Sequence, residues 1–237
     1  LLPMAIDTHA ARGLFLTLAA LSLIAAPVFA RYSGATETRA PAGESTQAKE
    51  FTVPHYVGVM LMVPVVLVAT LEFSLWSQIE RLGVRLGLSG QSIGLILSAG
   101  TAFGLLGGVT AAVLGTRYGR LIPLLTGFTL QMIASVVCIL APSPTAYVIA
   151  YFVWGAALFF IVPFLFGAAS NLDSQGRWAA AASGMLLVGQ MSGPALSGWI
   201  VHREGFEGLL WMLLAISVVA VAMLITALRL AAGHSND

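Results

Sequence analysis

QSIGLILSAGTAFGLLGGVTAAVLGTRYGR, residues 91–120, is the stretch whose reading decides how this chain folds. From Leu86 to Thr116 no residue is charged, a run longer than the roughly 20 apolar residues a helix needs to cross a bilayer. Gly100, Gly104 and Gly108 recur four apart. That spacing stacks them on one helix face, where the missing side chains let a second helix approach closely. The run stops at Gly115-Thr116-Arg117-Tyr118-Gly119-Arg120, a short basic turn, and a new apolar run begins at Leu121. A glycine-striped span, a tight arginine turn and another span describe a polytopic helical membrane protein.

The rest of the chain agrees. Of its 237 residues 58% are hydrophobic and 9% charged, with a mean hydropathy of +0.92. A soluble domain carries about 25% charge, so this chain has no surface to show to water. The net charge of +1 offers no basic patch to neutralise phosphates, which argues against a nucleic-acid partner. Cys138 is the single cysteine and lies within an apolar run, which leaves no disulfide framework and no cysteine metal site. His9, His55, His202 and His234 fall in connections and never pair at ligand spacing, so neither a metal nor a cofactor is expected.

Seven spans are predicted, at about 13–30, 56–79, 90–115, 121–141, 146–170, 178–201 and 208–229. The charge-free run from Leu121 to Leu172 is too long for one helix, and Pro142-Ser143-Pro144 divides it where proline can begin or end a helix. Residues 31–54 are polar and lack an apolar period. They read as a flexible linker. The expected organisation is therefore a single helix in 1–30, a linker over 31–54 and a six-helix transmembrane bundle over 55–237: an all-α membrane protein.

The first segment has a rival reading. Arg12, the apolar run after it and Val28-Phe29-Ala30 imitate a signal peptide with a small-residue cleavage site. Against this, twelve residues precede the apolar core without an initiator Met, and an internal repeat ties the segment to the last span. Gly13/Gly208, Leu14/Leu209, Leu18/Leu213, Ala20/Ala215, Ser22/Ser217 and Ala25/Ala220 match at one offset. Arg31, Arg39, Lys49, Arg117, Arg120, Arg177 and Arg229 fall on one side of the membrane, and Arg12, Arg81, Arg85 and Arg203 on the other. The richer side is expected to be cytoplasmic, placing the linker and the C-terminus there.

A helix pair joined by a Gly/Arg turn, a polar linker before a block of six spans, and the long-range repeat together resemble the major facilitator superfamily. The family's turn motif reads G-x-x-x-D-R-x-G-R. Here Ala112-x-x-x-Thr116-Arg117-Tyr118-Gly119-Arg120 is similar to the weaker copy between its eighth and ninth spans. Ala112 replaces the glycine and Thr116 the aspartate, which removes the carboxylate that would anchor the turn to a neighbouring helix. Asp173-Ser-Gln-Gly-Arg177 and Gly189-x-x-x-Gly193-Pro194 also look like family features. The resemblance implies a secondary transporter with two helical halves around a midplane site. This chain would supply spans six to twelve, and an N-terminal half would be its partner. It also implies a lipid bilayer, taken here as the bacterial inner membrane, and a small-molecule substrate moved by alternating access.

Glu72, in VPVVLVATLEFSLW, is the only carboxylate well inside an apolar run. An acid there costs a few kcal/mol on insertion scales and is a functional candidate by default. Two readings stay open. Either Glu72 faces a cavity and exchanges a proton, or it sits roughly 24 Å along its helix from Tyr56, beside Trp76, and snorkels to the interface. Tyr147, Tyr151 and Trp154 lie at i, i+4, i+7. Tyr147 reads as an interfacial belt residue, Tyr151 and Trp154 as substrate-stacking or packing residues. Ser183, Gln190 and Ser197 recur every seven residues, with Gln190 near mid-depth, either lining a cavity or bonding across helices. Gln131 reads as an interhelical hydrogen bond. Arg117, Gly119 and Arg120 form the turn, with the arginines meeting lipid phosphates or helix C-termini; Asp173 and Arg177 can cap and pair at a helix start. The substrate and proton candidates are thus Glu72, Trp76, Tyr151, Trp154 and Gln190.

Competing classes meet obstacles in the residues. A retinal photoreceptor needs a mid-membrane lysine, and Lys49, the single lysine, lies in the linker. An intramembrane enzyme needs a nucleophile with its base or a second buried acid, and no HExxH or G-x-S-x-G occurs. The chain is therefore not expected to be an enzyme. A non-transporting or accessory membrane protein is the alternative to a carrier, because about five N-terminal helices are not in this chain. Few polar groups and several aromatics lean toward amphipathic compounds or drugs, with sugars next; the residues do not give direction, and proton-coupled efflux is the mode carried forward as an expectation.

Overall fold

The computed structural model describes residues 54–234, with side-chain surroundings through residue 231. The expected first span and most of the linker lie outside the described residues. Within them the secondary structure is helical: α1 His55–Trp76, α2 Ile79–Arg85, α3 Gly90–Leu114, α4 Leu121–Ile139, α5 Pro144–Ser170 and α6 Arg177–His234. α1 and α2 follow one another across a short turn and act as a single pass, His55–Arg85. Five helical stretches are long and apolar enough to cross a membrane. The last of them, Arg177–Ala231, is interrupted at Gly205. Its two legs, 177–204 and 206–234, answer to the two spans expected over 178–201 and 208–229.

Local chemistry explains the breaks. Ser143 caps α5 by accepting a hydrogen bond from the Ala146 N–H, and Pro144 sits in the first turn, where its missing N–H costs nothing. Ser89 caps α3 in the same way through the Ser92 N–H. Gly205 takes φ 69°, ψ −165°, a backbone that side chains rarely adopt, and the chain folds back on itself there. Leu209 and Leu213 of the second leg share a core cluster with Leu75, Ile79 and Leu82, while Leu224 and Ala227 lie with Val57 and Leu61. The second leg therefore runs opposite to α1.

The first leg runs parallel to α1. Trp178 lies over Gly58, Gly189 lies against Val66 and Ala69, and Ser197 meets Ser77. A Cβ on Gly193 would stand 2.7 Å from the Ser74 nitrogen, so only glycine lets the two backbones come this close. Hydroxyls follow the contact. Thr70 pairs with Ser192 at 3.0 Å, Ser74 donates to the Gly193 carbonyl at 3.0 Å, and Ser77 pairs with Ser197 at 2.8 Å. The Gln78 amide adds a donor to Ser197 at 3.3 Å. Interhelical bonds of this kind contribute about 0.6–2 kcal/mol each in a membrane.

The glycine face of α3 packs on α5, with one correction. Gly100 lies under Tyr151, Gly104 under Phe159 and Gly107 under the Ala156 carbonyl, whereas Gly108 has only the Phe159 carbonyl, 3.9 Å from where a Cβ would be. The packed residues are 100, 104, 107 and Ala111, the i, i+4, i+7 rhythm of a 3.6-residue helix, rather than a strict step of four. α4 packs antiparallel on α5, with Gly127 against Ile161 and Cys138 against the Tyr147 carbonyl.

Tyr147 also departs from its expected place at the interface. It is fully buried, and its Oη donates to the Ile79 carbonyl at 2.8 Å. Ile79 opens α2, so this bond ties α5 to the far end of the first pass. Tyr147→Phe should lower thermal stability in detergent by an amount equivalent to about 1–2 kcal/mol, the cost of orphaning a buried carbonyl. An unchanged unfolding midpoint would show that the carbonyl finds another donor.

Candidate functional site

Four of the five proposed site residues come together near the middle of the bundle, and one does not. Glu72 is 2% exposed and does not snorkel. Both carboxylate oxygens are buried, and neither has a hydrogen-bond partner among the described residues. Glu72 borders a small cell of about 20 Å³ lined also by Gln131, Ser135, Trp154 and Ser217, with Leu71, Phe128, Met132 and Leu213 completing it. That volume is room for a single water. Its walls come from α1, α4, α5 and the second leg of α6.

One turn beyond Glu72, Trp76 is 44% exposed. Its ring stacks on Trp154, with centroids 6.3 Å apart and planes 17° from parallel, and lies 6.4 Å from Tyr151. Tyr151 and Trp154 stack on each other at 5.9 Å. Both are buried, and Tyr151 covers Gly100 of α3. Tyr151 and Trp154 are thus the inner layers of an aromatic cluster that reaches the surface at Trp76 and, through Phe152, at Phe103. Offset stacking of this kind contributes about 0.5–1.5 kcal/mol per pair beyond the area buried.

Gln190 stands apart on the first leg of α6, half-buried and outside the cell. The seven-residue polar stripe also divides. Ser183 is exposed and bonds back to the Ala179 carbonyl, while Ser197 is fully buried against α1. Two steps of seven turn the helix by only about 40°, so the difference lies in what stands opposite: Ser197 meets Ser77, whereas Ser183 is left exposed. The polar seam that does form, from Thr70, Ser74 and Ser77 to Ser192 and Ser197, was not anticipated. Its signal is the i, i+4, i+7 spacing of the three hydroxyls in α1. Gln131, expected to bond across helices, instead lines the cell at 8% exposure.

The turn residues lie at the opposite end. Gly115 and Gly119 take positive φ, 53° and 69°, and Arg117 is exposed. Arg120 packs over Gly167 of α5 and enters a cavity of about 660 Å³ with Asp173 and Arg229. Partial burial holds its guanidinium below the ordinary value. Asp173 caps α6 as expected, its Oδ2 accepting from the Arg177 N–H at 3.1 Å and from the Arg177 Nε at 3.2 Å. This cavity is far larger than the Glu72 cell, but the unpartnered membrane-depth acid is at the small one. Chemistry, not volume, singles out the Glu72 cell.

A bundle of apolar, glycine-packed helices long enough to cross a membrane describes an integral membrane protein. The family model described as Major Facilitator Superfamily matches residues 65–236, and the chain belongs to that superfamily. No curated protein matches it significantly. The match covers the region expected to form the C-terminal half of such a carrier.

Proposed function

We propose that the chain is the C-terminal part, with one preceding helix, of a proton-coupled carrier that expels small amphipathic molecules by alternating access across a bacterial inner membrane. An N-terminal half completes it, the linker over 31–54 joins the two, and no catalysis is involved. The observation that carries the coupling is the unpartnered carboxyl group of Glu72 inside the bundle. A buried acid without a partner costs several kcal/mol in its charged form. The fold tolerates that cost where the group gains and loses a proton during work. Trp76, at the exposed end of the stack, offers an aromatic face to an amphipathic substrate.

Glu72→Gln keeps the shape and the hydrogen bonding while fixing an uncharged group. In liposomes holding the full-length carrier, with ethidium as the probe, it should abolish accumulation driven by an imposed pH gradient and spare exchange. Undiminished accumulation ends the coupling proposal. No ethidium movement by the unsubstituted carrier ends the assignment to amphipathic substrates.

A further inference from the structure

Trp154 belongs to two assemblies at once. It lines the Glu72 cell, and its ring is stacked on Trp76 and Tyr151. The cell is walled by α1, α4, α5 and the second leg of α6, with Ser135 of α4 and Ser217 of the second leg only half-buried. The stack lies between α1, α5 and α3, where Tyr151 covers Gly100. The indole therefore stands as the wall between an acid facing one way and an aromatic surface facing the other.

We infer that Trp154 is a partition that keeps the proton site at Glu72 separate from the substrate-facing stack, so that a proton passes only when the wall is moved. The inference rests on the reading of Glu72 as the coupling acid. The groups facing Glu72 in the cell are Gln131 and Ser135 from α4, Trp154 from α5 and Ser217 from the second leg, none of them charged. Beyond the indole, the nearest ionisable group in the stack is the Tyr151 phenol. A water in the cell can deliver a proton to a Glu72 oxygen, forming the O–H bond, and receive it back by the same route. Passage to the other side requires a second hydrated path, and the indole fills the place where that path would run. Trp154 is thus a positioning residue: it contacts the acid's cell but takes no proton itself.

The test reads proton flux without any substrate. Full-length carrier is placed in liposomes loaded with the pH indicator pyranine, and a potassium–valinomycin potential is imposed. Trp154→Leu should open the wall and let the imposed potential shift the internal pH severalfold faster than in the parent. Trp154→Phe, which keeps a ring in the stack, should leak least of the Trp154 variants. The double variant Trp154→Leu, Glu72→Gln should be tight again, which a merely loosened bundle would not be. A Trp154→Leu carrier as tight as the parent overturns the inference, and so does a leak that Glu72→Gln leaves unchanged. Should the leucine variant fail to give a single species on size-exclusion chromatography, Trp154→Met reads the same leak. The coupling reading fails separately, by undiminished ethidium accumulation in Glu72→Gln with Trp154 intact.

Discussion

Gly107→Leu is expected to leave almost no monodisperse protein, while Gly108→Leu should assemble much as the parent does. A Cβ at position 107 would fall on the Ala156 carbonyl, which is backbone within a continuous helix and has nowhere to go. At 108 the nearest atom is the Phe159 carbonyl oxygen, 3.9 Å away, which is ordinary contact. Overpacking a filled contact costs about 1–3 kcal/mol when side chains can yield. Against a rigid carbonyl the whole α3–α5 contact must separate instead. Gly104→Leu should fall between the two, because it meets the movable Phe159 ring. Size-exclusion profiles of fluorescent fusions would rank the three. A monodisperse Gly107→Leu sample with the parent's unfolding midpoint would refute the packing described for α3.

Glu72→Met is expected to do the reverse and make the protein more stable while ending coupled transport. The wild-type carboxyl group has both oxygens buried without a partner, so the fold carries an uncompensated cost. Insertion scales put an acid at mid-helix about 2.5–3.5 kcal/mol above an apolar residue. Methionine matches the volume and bends to fill the 20 Å³ cell. The unfolding midpoint in detergent should rise by several degrees, and Glu72→Gln should rise less because its amide still lacks partners. A lower midpoint for both variants would mean that the folded protein supplies a partner for the acid, and the site argument would lose its basis. The pairing of greater stability with lost coupling is the signature of a group kept for its work.

The spans could be read from the residues because hydrocarbon imposes so few rules. Length, charge and proline set the ends: Ser143 and Pro144 begin α5 close to the place expected, and Gly115 ends α3 within a residue. Glu72 stood out because an acid is rare at that depth. What the sequence concealed was which side of each helix looks inward. Apolar residues surround these helices on all faces, so no amphipathic stripe points toward the core. Gly108 looked like a packing residue by a step of four, but the true rhythm of the helix passes that role to Gly107. Ser183, Gln190 and Ser197 looked like one polar stripe by a step of seven, but only Ser197 is buried against another helix. Tyr147 looked like a surface tyrosine because its partner, the Ile79 carbonyl, lies 68 positions away in the chain. The cell itself gathers residues from four helices, and no local pattern announces such a meeting.

The hydroxyl seam between α1 and the first leg of α6 has a mechanical meaning. Its bonds, 2.8–3.0 Å long from Thr70 to Ser197, are set in register along two parallel helices whose glycines leave no gap. Sliding one helix past the other by a turn, about 5.4 Å, would break every rung together. The two helices therefore count as a single strut. A change of shape that keeps these bonds moves the strut as one piece against the pair formed by α3 and α5. Trp76 lies on the strut and Trp154 on the other pair, so their stack is a bearing surface, the place where one rigid part turns against another.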